Sequence, residues 1–182
     1  MLRLPDGLCK FGASNLILSF LKRSHLDQLK ETLSVFRIGI TVGLIGREKL
    51  MEWIRKAIAN EKKPPRELTD LLTLDPKANS VIIFNLLDKL IGPAVPENAG
   101  KIVMRMIYDE LKAGKVSPVK AVQLAYHASM ESNQDDAQQK YLSDLDDEGY
   151  LIQLGTSQRE EKELEADILQ FLSQYERYSF SQ

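Results

Sequence analysis

The sequence predicts an all-α protein, folded as a single-domain bundle of about seven to eight helices. Three observations predict it. Apolar residues recur three and four positions apart along most of the 182-residue chain, the period of one helix face. Helix start and stop signals punctuate it: a proline after Ser117 or Asp75 at beginnings, Gly114 at an end. The composition, 43% apolar and 27% charged, is ordinary for a globular domain, and this length favours one core over two.

Residues 1–12 read as an N-terminal arm, a candidate flexible segment outside a domain spanning 13–178. The stretch 13–21 reads as an amphipathic helix with Leu16, Ile17, Phe20 and Leu21 on one side. Asp6 ahead of it and Asn15 and Ser19 within it argue against a signal peptide. No stretch approaches the roughly 18 consecutive apolar residues of a membrane span, and a cytoplasmic location is expected. Leu26, Leu29, Leu33, Phe36 and Ile40 line a helix face. The tract 35–42 is β-branched enough to form a short strand instead, and Gly39 and Gly43 weaken either reading. The run from Gly43 to Gly46 is a turn. A helix over about 47–60 follows, with Leu50, Trp53, Ile54, Ala57 and Ile58 inward.

Pro64 and Pro65 stop that helix, and Pro65 suits the first turn of a short one carrying Leu68, Leu71 and Leu72. Asp75-Pro76 repeats the start signal. The next segment holds Val81, Ile82, Ile83, Phe84, Leu86, Leu87, Leu90 and Ile91. These cover nearly every side, so a central, buried helix is expected there. After a loop over 92–96, a helix over about 97–113 presents Ile102, Val103, Met106, Ile107 and Leu111, and Gly114 suits a left-handed cap. Ser117-Pro118 opens a helix with Val119, Val122, Ala125 and Tyr126 inward. A polar break over 133–136 precedes two more helices, about 137–150 and 158–178. The last carries Leu164, Ile168, Phe171, Leu172 and Tyr175 on one face.

Little here points to catalysis. One cysteine, Cys9, excludes a disulfide framework within the chain and a zinc site built on several cysteines. The two histidines, His25 and His127, stand about a hundred residues apart and outside any metal-ligand spacing, and His127, on a helix with an apolar side, is expected to be structural. Asp144, Asp146, Glu148 and Gly149 resemble the opening of an EF-hand calcium loop. Such a loop needs a bidentate carboxylate at its twelfth position, where this chain has Gly155. A solvated acidic helix face is the better reading. No nucleophile elbow or phosphate-cradling glycine loop is present. No catalytic residue, cofactor or metal is assigned. Arg55-Lys56 and Lys62-Lys63 cluster where cations favour a helix C-terminus, so nucleic acid is not an expected partner, nor is a membrane.

The formal charge of −2 conceals a division. Residues 1–130 carry 20 Lys and Arg against 13 Asp and Glu, a net of +7; residues 131–176 carry 3 against 13, a net of −10. In a structural explanation the acids complement helix N-termini and pack beside the basic region. In a functional one they present a negative surface that attracts a basic protein and repels nucleic acid. On these electrostatic grounds the candidate partner-binding residues are Asp144, Asp146, Asp147, Glu148, Glu160 and Glu161.

The order of segments carries a resemblance. A turn from Gly43 to Gly46 precedes a helix with Trp53; Pro64-Pro65 and Leu68 begin a leucine-rich segment; then come the run 111–122, the run 145–148 and a final helix ending near Tyr175. This resembles small helical bacterial immunity proteins of polymorphic or contact-dependent toxin systems, and related uncharacterised bacterial families, over about residues 40–176. The resemblance implies a non-enzymatic inhibitor that binds a cognate toxin domain; it supplies no functional residue. A helical adaptor or regulatory protein without a toxin is the alternative, and a carboxylate- or metal-dependent hydrolase a second.

Overall fold

A computed structural model describes residues 25–60, 63–75 and 79–180. Eight helices run through them: α1 His25–Thr41, α2 Arg47–Asn60, α3 Arg66–Thr73, α4 Ser80–Ile91, α5 Glu97–Lys112, α6 Pro118–Glu131, α7 Asp136–Gln153 and α8 Glu161–Ser173. The described residues contain no strand. No helix among them is long and apolar enough to cross a membrane. The arm over 1–12, the expected helix over 13–21, Cys9, Lys62 and Pro76 lie outside the described residues.

The sequence explains most boundaries. Ser117 accepts a hydrogen bond from the Lys120 N–H at 3.2 Å, and Pro118 occupies the first turn of α6, where no N–H is required. Asp135 caps α7 the same way through the Gln138 N–H, at 2.9 Å. Gly114 closes α5 in the left-handed conformation, at φ 64°. Asn79 caps α4, accepting from the Val81 N–H at 3.0 Å, so the start expected at Asp75-Pro76 falls four residues later.

The tract 35–42 is helical through Thr41, where α1 ends, and Val42 begins the turn. Its β-branched residues suit a buried strand equally well, but Leu33, Val35, Phe36 and Ile38 are all buried against neighbouring helices, and that packing decides the matter. Gly39 is required by the turn at the end of α1. That turn folds Ile45 back onto the helix, and a Cβ at position 39 would collide with the Ile45 side chain. The Gly39 carbonyl accepts from the Leu44 and Ile45 N–H groups at 2.8 and 3.0 Å.

The centre of the bundle belongs to α5 and α6 rather than α4. Helix α5 packs against α1, α6 and α8, and Ala99, Gly100, Ile102, Val103, Met104, Ile107, Tyr108 and Leu111 are buried on it. At Gly100 the α6–α7 connection comes so close that a Cβ would strike Ser132. Helix α4, expected to be central and buried, touches only α1 and α3 among its larger contacts. Ile83, Leu87 and Ile91 form its inner edge, while Val81 and Ile82 stay 57% and 47% exposed. Apolar residues on every side permit a central helix, but neighbours cover one side here.

The C-terminal helices α6, α7 and α8 pack against one another. Gly149 on α7 makes the closest approach: its Cβ would lie 3.2 Å from Val119 on α6 and 3.4 Å from Leu164 on α8. This packing fixes which side of α7 is left outside.

Candidate partner-binding surface

Helix α7 turns Leu142, Leu145 and Gly149 inward. Residues half a helical turn away must then face out, and Lys140, Asp144, Asp147, Leu151 and Leu154 are all exposed. Asp144 lies 3.4 Å from Lys140 one turn earlier, an exposed pair worth less than about 1 kcal/mol. Asp147 makes no ion pair among the described residues.

The six candidate residues divide by position. Asp144, Asp147, Glu160 and Glu161 are exposed; Asp146 and Glu148 are half-buried and turned toward the protein. Burial raises the Asp146 carboxyl above its ordinary pKa, the charge of Asp147 adds to the rise, and His127 on α6 partly opposes it. Glu148 accepts a hydrogen bond from the Ser157 hydroxyl, which ties down the α7–α8 connection. Arg159 in that connection donates to Asp167 on α8 at 2.6 Å. At the start of α8 the Glu160 N–H donates to the Glu163 carboxylate at 3.0 Å, so these acids also cap a helix. The structural and functional explanations of the acidic region therefore each account for some of its residues.

The division of charge is largely preserved in space. Among the described residues, two acids of the segment 131–176 form ion pairs with the basic region. Glu131 binds Arg37 at 2.7 Å, and Glu176 lies 4.0 Å from Lys112 and accepts from the Tyr108 hydroxyl. The acids on the outer side of α7 do not meet the basic region.

Their place along α7 is electrostatically unfavourable. Asp144, Asp146, Asp147 and Glu148 run through its middle, all of them more than one turn before its end, and its last turn contains no basic residue. Asp144 and Asp147 stand three residues apart and Asp144 and Glu148 four apart, like-charge neighbours one turn from each other, a spacing that destabilises a helix. Helix stability alone does not account for that placement.

Sequence reasoning missed three apolar neighbours of these acids. Tyr150, Leu151 and Leu154 are 60%, 41% and 56% exposed. The signal was available: they fall off the inward line of Leu142, Leu145 and Gly149.

The run from Asp144 to Glu148 is helical, so successive ligands two residues apart project about 200° from one another instead of wrapping an ion. Among the described residues no group of three or more His, Cys, Asp or Glu is arranged to hold a metal. His127 is exposed on α6, with its ring 5.7 Å from that of Tyr126. It lines neither the cavity of about 570 Å³ floored by Tyr175 nor the groove of about 540 Å³ beside Arg37. In the first of these, Glu97 is held by Lys101 and Asp135 caps α7, so its two carboxylates already have partners.

No family model, curated protein or solved structure matches the chain.

Proposed function

We propose that this chain is a non-enzymatic protein-binding module that captures a basic partner domain on the outer side of α7 and the start of α8. The observation that carries this reading is the exposure of Asp144, Asp147, Glu160 and Glu161, with the α7 pair held as like-charge neighbours and no basic residue after Lys140 on that helix. A negative surface of this kind speeds association with a positive one and restricts partner choice. In its sharpest form the module is an immunity-type inhibitor acting in the cytoplasm. Its partner is a toxin domain whose basic substrate groove the acidic surface covers. An adaptor without a toxin would use the same surface.

Co-expression with the protein encoded beside it tests this reading. A stoichiometric complex together with rescue from that protein's toxicity supports the inhibitor. A complex without toxicity supports the adaptor. Neither complex nor rescue overturns both.

A further inference from the structure

Tyr150, Leu151 and Leu154 lie at positions i, i+1 and i+4 of the last turn of α7 and its cap, and all three are solvent-exposed. Leaving large apolar side chains together in water forfeits the burial that most such residues obtain. The strip is held in place from below. Gly149 packs between Val119 and Leu164, and the chain after Leu154 turns back through Gly155 at φ 68°. The Thr156 N–H donates to the Leu151 carbonyl at 3.1 Å. Glu148 fastens the same connection through Ser157.

The strip has an acidic border. Asp144 and Asp147 precede it on the same side of the helix, and α7 has no basic residue after Lys140. The adjoining helix α6 supplies one lysine, Lys120, against the four carboxylates from Asp144 to Glu148 on α7. A second copy of the strip carries the same acids and brings no cation to them from α7, so self-pairing would leave Asp144 and Asp147 unneutralised. A helix with leucines on one face and lysines or arginines beside them meets both features, burying the apolar strip and pairing the acids.

Resting on the protein-binding reading above, we infer that Tyr150, Leu151 and Leu154 are the anchor site for a cationic amphipathic helix of the partner, with Asp144 and Asp147 setting its orientation. Leu151 and Leu154 supply the affinity, since both can be desolvated by an apolar helix face. The acids supply the rate of association and its dependence on salt.

The test uses the full chain and a labelled synthetic peptide of about 14 residues, four turns long, built of leucine and lysine with the leucines on one face. A second peptide of the same composition has its leucines scattered around the helix. Fluorescence anisotropy is expected to show the amphipathic peptide bound about tenfold more tightly than the scattered one. Leu151→Ser with Leu154→Ser should remove that preference, while circular dichroism stays unchanged because both residues are exposed. Equal binding of the two peptides, or a preference that survives the leucine changes, overturns the anchor site. If Asp144→Asn with Asp147→Asn then weakens both peptides alike, the acidic surface still binds basic partners and only the anchor is lost. A dimer that these leucine changes dissolve overturns the inference in favour of a second copy.

Discussion

Arg37 and Glu131 are 94 residues apart in sequence and 2.7 Å apart in the fold. The same guanidinium donates to Asp88 at 2.7 Å and lies 5.6 Å from the centre of the Phe84 ring. One side chain on α1 thus ties α4 to α6, and among the described residues it makes one of the two ion-paired links between the basic and acidic regions. The hydrogen bonds to Asp88 and Glu131 hold its pKa above the ordinary value even though burial pulls the other way. Replacing Arg37 with alanine is expected to destabilise the fold by about 1–3 kcal/mol, because two carboxylates lose a charge-assisted partner. Urea denaturation of Arg37→Ala against Asp144→Asn checks this. The Asp144 change breaks only an exposed pair and should cost less than about 1 kcal/mol.

Gly100 is expected to tolerate no side chain at ordinary cost. A methyl group there meets Ser132 on the α6–α7 connection, and α5 is too tightly surrounded to retreat. Gly100→Ala should destabilise by about 1–3 kcal/mol. Adding Ser132→Gly, which removes the obstructing atoms, should recover part of the loss. Thermal melts of the single and double variants measure both effects, and additivity of the two changes would contradict the collision.

Tyr175 is 4% exposed, and its hydroxyl lies 2.9 Å from Gln134 Oε1 and 3.0 Å from Gln138 Oε1. Burial pushes the phenol up to about 12. The unfolded chain ionises this group near pH 10, so stability present below about pH 10 should fall as pH rises through about 12. Ultraviolet titration should find one phenol ionising near pH 12, and it should vanish in Tyr175→Phe.

The carboxyl of Asp146 is also raised, by burial first. Its contribution to stability is complete below the unfolded carboxylate range, near pH 4, and is lost as pH rises through the folded value. Asp146→Asn should therefore be more stable than the natural chain at neutral pH, with the difference closing as the medium is acidified toward pH 3. Denaturation at the two pH values checks the sign. A variant that loses stability at neutral pH would mean that the attraction to His127 outweighs the burial.

Local signals in the sequence carried much of this fold. Leu50, Trp53 and Ile54 placed α2 over Arg47–Asn60, and Ser117-Pro118 placed the start of α6, because caps and helical spacing act within a few residues. What misled was set by distant parts of the chain. The residues of 35–42 satisfy strand and helix alike until packing chooses. The apolar residues of α4 cannot reveal that α5 and α6 take the central position. At the site, the acids of α7 were legible as charge, and the inward line of Leu142, Leu145 and Gly149 already determined which of them faced out. The division between exposed Asp147 and half-buried Asp146 was legible in the same periodicity. The roles of Glu148 and Glu160 required the fold of the α7–α8 connection, which brings Ser157 and Glu163 to them.

If the outward carboxylates of α7 recognise a basic partner, they speed its approach and salt weakens their pull. The association rate with the protein encoded beside this one, measured against salt concentration, tests that recognition most directly. For the natural chain the rate should fall steeply as salt rises. For Asp144→Asn with Asp147→Asn it should be at least about tenfold slower at low salt and nearly independent of salt. Equal rates and equal salt dependence in the two proteins would contradict that recognition.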